Sequence, residues 1–170
     1  AIDKILANHA VFLISQIGLI ERQRSAMARL KRQPIHRDLH PHNVIICRDQ
    51  SITQLDFNDV SDGELARDFG NALHRFVRQY IIYQKRPWSE MLSRGVVIFV
   101  QAYQAVNSLL SDELSLVPLL IRDELLRKLF SDVRRHYREG NSRYLEEREL
   151  EKKLILLREV EPLELAILAL

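Results

Sequence analysis

An aspartate, an asparagine five residues on and a second aspartate beyond a short apolar stretch constrain this chain more than any other feature. They stand in His36-Arg37-Asp38-Leu39-His40-Pro41-His42-Asn43 and in Leu55-Asp56-Phe57-Asn58. Between them, Val44-Ile45-Ile46-Cys47 and Ile52-Thr53-Gln54-Leu55 are β-branched runs, and Arg48-Asp49-Gln50-Ser51 has the composition of a turn. A small hairpin is therefore expected, and it would fold Asp56 back toward Asn43. Residues 34–60 read as one unit: a loop, a hairpin and a pair of oxygen ligands.

The rest of the chain has helical periodicity. Ile2, Ile5, Leu6, His9, Phe12, Leu13, Leu19, Ile20, Met27 and Leu30 outline one long helix, or two joined near Gly18, stopped by Pro34. Ser61-Asp62-Gly63-Glu64 has the serine-to-glutamate spacing of a capping box, opening a helix that runs to about Gln84. Pro87 suits the first turn of a helix from Trp88 to about Leu109. Ser111-Asp112 caps a short segment with Pro118 near its end or at a kink. Leu125, Leu126, Leu129, Phe130, Val133 and Tyr137 mark a further helix closed by Gly140. Ser142 to Val160 reads as a charged helix ended by Pro162. The expected fold class is mainly α with one small β-hairpin, a single helical domain over residues 1–170.

Composition excludes little but helps. A formal net charge of +2 argues neither for nor against nucleic acid, and Arg134, Arg135 and Arg138 lack a nearby aromatic stacking platform, so no nucleic-acid partner is expected. No apolar run reaches membrane-spanning length, so no membrane partner is expected either. Cys47 is the single cysteine, no internal disulfide can form, and a cytoplasmic location is the simplest expectation. There is no initiator Met and a helical pattern begins at once, which suggests a cut N-terminus.

The trio suits phosphoryl transfer. Asp38 is the candidate catalytic base, since a carboxylate within hydrogen-bond reach can orient a hydroxyl and take its proton late. Asn43 and Asp56 are the metal candidates: magnesium takes hard oxygen donors and commonly only one or two protein carboxylates, completed by phosphate oxygens and water. Asp59 offers a lesser second ligand, a solvated loop acid being its plainer reading. His36 is expected to pack beneath the loop and hold the Asp38 backbone, and Asp68 to accept loop N–H groups. His40 and His42 receive no chemistry. Asp112, Glu113, Asp123 and Glu124 could draw a cationic substrate, and Tyr80, Tyr83, Trp88 and Tyr103 could line a pocket, with helix ends and core packing as the plainer uses.

These motifs resemble the catalytic core of the aminoglycoside phosphotransferase and choline kinase-like family, whose pattern is similar to His-Gly-Asp-Leu-His-Pro-Gly-Asn-Val followed by Ile-Asp-Phe-Asp. Here Arg37 and His42 replace two glycines and Asn58 replaces an acid. The resemblance covers about a fifth of the chain. It implies the helical C-terminal lobe of a protein-kinase-like fold, Asp38 as base, Asn43 and Asp56 as Mg2+ ligands, Asp68 as a structural acid, and ATP as co-substrate for a small hydroxyl compound. In such a fold a β lobe brings a glycine-rich loop and a lysine over the phosphates. Gly18, Gly63, Gly70, Gly95 and Gly140 are too scattered for that loop. The N-terminal β lobe is therefore expected to be absent and the isolated residues nearly inactive, with an apolar docking patch left for self-association. Two rivals stand beside this reading. His36, Asp38, His40 and His42 alternate as metal ligands on a strand would, pointing to a metal-dependent hydrolase. The bulky substitutions and the missing lobe would also suit a non-catalytic kinase-like interaction module.

Overall fold

A computed structural model describes residues 2–141, 143 and 145–170. Among the described residues seven helices dominate: α1 (Ile2–Arg22), α2 (Arg24–Met27), α3 (Leu65–Gln84), α4 (Trp88–Gln104), α5 (Ser111–Glu139), α6 (Glu147–Arg158) and α7 (Val160–Leu168). The β structure is two antiparallel pairs. β2 (Val44–Ile46) and β3 (Ile52–Gln54) form the expected hairpin, while β1 (Arg32–Ile35) pairs with β4 (Ser61–Glu64). The mainly α architecture is as the sequence pattern requires, with one β pair more than expected. Among the described residues no helix is long and apolar enough to cross a membrane.

That second pair corrects two boundaries. The N-terminal helical region ends at Met27, not near Pro34, and runs unbroken through Gly18. Pro34 lies in β1 opposite Asp62, a place open to proline because a two-stranded sheet has only edge strands. Ser61–Glu64 is a strand and not a capping box: the register sets Gln33 against Gly63 and Arg32 against Glu64. The Glu64 carboxylate that a box would use accepts instead from Arg67 Nε at 2.8 Å and from Arg32 Nη1 at 3.2 Å. Gly63 is needed in the strand because a Cβ there would overlap the buried side chain of Ile35.

Helix α3 ends at Gln84, with Lys85 left-handed (φ 53°) as its C-cap. Helix α4 starts after Pro87 but stops at Gln104, five residues before the expected end. There the Gln104 side chain donates to Leu109 O at 3.2 Å and accepts from Leu109 N–H at 3.1 Å. The two segments expected around Pro118 are one helix of 29 residues, α5, closed by left-handed Gly140 (φ 64°). Pro118 removes one helical donor, yet it is fully buried, and α3 packs tightly beside it. A Cβ on Gly70 would stand 3.1 Å from Val117 Cγ1 and 3.2 Å from Ile121 Cγ1. Ser142, the expected start of the charged helix, lies outside the described residues; α6 begins at Glu147. Pro162 does not end that helix but sits in the first turn of α7, where a proline costs no intrahelical bond.

The core joins α3, α4, α5 and α7 through Leu73, Val77, Leu92, Val96, Val117, Leu120, Val160 and Leu163, each nearly inaccessible. Tyr80, Trp88 and Tyr103 pack against that core, while Tyr83 is exposed. Buried Arg67 locks α3 to α5 through Glu64 and Asp123, the latter at 2.7 Å. The β2–β3 hairpin, in contrast, stands off this core. Ile45, Ile46, Ile52, Leu55, Phe57 and Val60 are all exposed.

Candidate active site

Strand β1 delivers the chain into the loop at residues 36–40, and α3 holds that loop from below. Asp68, in the first turn of α3, accepts the His36 N–H at 3.0 Å with Oδ2 and the Arg37 N–H at 2.7 Å with Oδ1. A carboxylate is favoured there by the helix N-terminus as well. The two bonds hold Arg37 in the left-handed region at φ 66°. That conformation is why glycine suits this position in the resembling motif; an arginine adopts it at a cost of roughly 1–2 kcal/mol. The Arg37 guanidinium then reaches across to Ser61 Oγ at 3.2 Å.

His36 is buried and joins the two ends of the segment. Its Nε2–H donates to the Leu55 carbonyl at 2.9 Å, and its Nδ1 faces the Asp38 N–H at 3.4 Å. One neutral tautomer makes both contacts. The Phe57 ring covers it at 5.0 Å between centroids. Asn43 is buried at the start of the hairpin. Its Nδ2 donates to the Asp38 carbonyl at 3.0 Å, and its backbone carbonyl accepts the Leu55 N–H at 2.9 Å. Asp38 and Asn43 are thus bonded directly, and Leu55, held by both His36 and Asn43, presents Asp56 as the next residue. Asp56 is left-handed (φ 60°), a region that aspartate tolerates better than most residues. Its exposed carboxylate accepts from Asn58 Nδ2 at 2.8 Å. Asp59 is exposed in the 3₁₀ turn Phe57–Asp59.

The Asp38 carboxylate has three neighbours that the sequence pattern does not single out. His40 Nε2 is 3.2 Å from Oδ2, while Arg75 Nη1 and Lys128 Nζ stand 3.7 and 3.9 Å from Oδ1. His40 is oriented by the His42 N–H, which donates to its Nδ1 at 3.2 Å. Burial, then the Arg75 charge, lower the His40 pKa against the opposing pull of Asp38, so the imidazole favours its neutral, Nε2-donating form. The signal for Arg75 lay in a polar stripe on α3, where Asn71, His74, Arg75, Arg78 and Gln79 share one face.

That stripe forms one wall of a cleft of about 370 Å³ that opens at Asp38, with α5, α6 and the loop making the others. Six arginines and lysines line it against three carboxylates, Asp38, Glu124 and Glu149. Asn43 and Asp56 do not line it; both belong to the hairpin segment that follows the loop. His74 is buried in the cleft wall, and its Nε2 has no hydrogen-bond partner among the described residues, the Glu159 carboxylate being 3.8 Å away. A second, more open groove of about 520 Å³ lies between α1 and α5, around Ile17 and Phe130, and contains Asp123 but none of the catalytic or metal candidates.

The donor chemistry fits magnesium. The Asn43 amide nitrogen is committed to the Asp38 carbonyl, so its oxygen would be the atom offered to a metal, and Asp56 would add one carboxylate. The alternating zinc site is overturned. Residues 36–40 form no strand, Pro41–Asn43 is a 3₁₀ turn, His36 is buried beneath the loop, and His42 is exposed. Among the described residues no three His, Cys, Asp or Glu side chains gather as a metal site.

A family model described as phosphotransferase enzyme family matches residues 5–94, more than half of the chain. The match agrees with the family that the motif resembles and contains Asp38, Asn43, Asp56, Asp68 and Arg75. Helices α5 and α6, with Lys128, lie beyond it. No curated protein matches the chain, and no solved structure does.

Proposed function

We propose, because the chain belongs to the phosphotransferase enzyme family, that it carries the catalytic residues of an ATP-dependent kinase acting on a hydroxyl of a small molecule. The observation that most supports this is the bonded chain running from Asp68 through the loop backbone to Asp38, and from Asp38 to Asn43 and the hairpin. Asp38 orients the acceptor hydroxyl and takes its proton as the new bond to phosphorus forms. His40, neutral and donating to Oδ2, fixes the rotamer of that carboxylate. The Asn43 amide oxygen and the Asp56 carboxylate would hold Mg2+, which supplies charge neutralisation for the nucleotide's phosphates when bound. Asp68 and His36 keep the loop backbone in shape and touch no substrate.

The scattered glycines offer no phosphate-covering loop within these residues. The apolar faces of Ile46, Ile52 and Phe57 are exposed beside the metal candidates. In this reading a β lobe of the same protein covers that surface and the nucleotide, and the 170 residues alone turn over slowly and self-associate through it. The single cysteine suits a reducing, cytoplasmic setting.

The test is ADP release by the full-length protein over a panel of small alcohols. Asp38→Asn should lower kcat by about 10²–10⁴-fold with the fold intact by circular dichroism. Undiminished turnover in that variant would end the reading.

A further inference from the structure

The acceptor's charge is legible in the cleft. This step rests on the kinase reading above and specifies its substrate. If Asp38 meets the acceptor hydroxyl, the acceptor occupies the cavity that opens at Asp38 and not the flank holding Asn43 and Asp56. At about 370 Å³ that cavity is near the small end of ligand pockets and suits a compact molecule.

Its carboxylates already have cations. Glu149 pairs with Lys152 at 3.6 Å, and Glu124 lies between Lys128 at 3.6 Å and Arg67 at 3.9 Å. Of the other acids that could have drawn a cationic substrate, Asp123 binds Arg67 and Arg127, Glu113 accepts the Leu110 N–H at 2.9 Å, and Asp112 does not line the cleft. Two of the cations, Lys153 and Arg78, are turned to Asp132 and Glu159 outside the cleft lining. With those two set aside, Arg37, Arg75, Lys128 and Lys152 face the three carboxylates, an excess of one positive charge. Arg75 and Lys128, on facing helices, both stand beyond hydrogen-bond length from the one carboxylate they share, Asp38. A charge-assisted hydrogen bond would be about 2.7–2.9 Å. Both side chains are nearly half exposed, so neither is locked in place.

We propose that the acceptor is a small hydroxyl compound carrying a negatively charged oxygen group, a carboxylate or a phosphate, held between Arg75 and Lys128. Drawing these cations onto the ligand frees the Asp38 carboxylate to accept the hydroxyl. The hydroxyl oxygen then bonds to the γ-phosphorus, the bond from that phosphorus to the β,γ-bridging oxygen breaks, ADP leaves with the electron pair, and the proton passes to Asp38.

The experiment uses the full-length protein with ATP and Mg2+ and four probes: glycerate, glycerol 3-phosphate, glycerol and ethanolamine. ADP release and product mass are measured for the native protein and for Arg75→Gln, Arg75→Lys and Lys128→Gln. The expected result is a lower KM for the anionic probes than for glycerol or ethanolamine. Arg75→Gln and Lys128→Gln should each raise that KM roughly tenfold, with the KM for ATP unchanged and partial rescue by Arg75→Lys. Preference for glycerol or ethanolamine overturns the charge assignment and leaves the kinase reading in place. So does an Arg75→Gln variant that loses kcat equally on every probe with no change in KM, since that places the arginine at the transferring phosphate. No ADP release above the basal rate with any probe, where the native protein does release ADP with an unrelated uncharged or cationic alcohol, also overturns it. No release with any alcohol at all removes the kinase reading and this assignment together.

Discussion

The two flanks of Asp38 are built differently. On one side lies the cleft, whose walls are helices α3 and α5 rooted in the deepest core and cross-linked by buried Arg67. On the other lies the β2–β3 hairpin, three residues per strand, with its apolar side chains in water. On the helical flank the cleft acids Glu124 and Glu149 are each paired with a lysine. The hairpin flank has the surface of something meant to be covered. In the proposed reading the contrast separates the two jobs of a phosphotransferase. Recognition of the acceptor can be rigid and local, whereas the nucleotide's phosphates need to be enclosed.

The largest effect that would sharpen the contrast is on stability. Leu73→Ala, in the centre of α3, should cost about 2–5 kcal/mol, measured by urea denaturation. Ile46→Ser, on the hairpin, should change stability by less than about 0.5 kcal/mol while reducing self-association of the isolated residues in analytical ultracentrifugation. Equal losses at both sites would erase the distinction between flanks. Next comes the anchor between them. Asp68→Asn cannot accept both loop N–H groups in the same way, and should cost about 1–3 kcal/mol together with a loss of turnover. An unchanged melting temperature would show that the loop is held by something else.

The smallest effect is a pH dependence on the helical flank. Burial opposes the charge of Glu64, but hydrogen bonding to Arg67, with the nearby Arg67 and Arg32 charges, outweighs it and holds its pKa below the ordinary glutamate value. A carboxylate depressed on folding stabilises the protein above its unfolded-state pKa. That contribution fades as the pH falls through the lower, folded-state value. Glu64→Gln should therefore flatten the acid limb of the stability curve, read from melting temperatures across the acid range. A parallel acid limb in variant and native protein would assign the effect to other groups.

Much of this arrangement was legible before any coordinates. The helical content, the hairpin, and the ends of α3 and α4 facing each other across Pro87 follow from local periodicity and turn chemistry. The neighbourhood of Asp38, Asn43 and Asp56 follows from the hairpin, because a two-stranded turn must bring its flanking residues together. What escaped was non-local. Ser61 and Glu64 have capping-box spacing, but Arg32, distant in sequence, and Arg67 take up the glutamate, so the segment pairs as a strand. Pro118 looks like a helix end until Gly70 lets α3 close on the helix around it. Arg75 and Lys128 carry no motif at all; only the packing of α3 on α5 brings them to one carboxylate.

The Asp68 clamp has a wider consequence. The loop bearing Asp38 and the helix bearing Arg75 leave a single joint, so the Asp38 carboxylate keeps its position whatever side chains the helix displays further along. In the proposed reading, chemistry and selectivity are mechanically coupled yet genetically separable. A lineage could then trade one acceptor for another by altering the outward residues of two helices, without disturbing the joint that holds the proposed base.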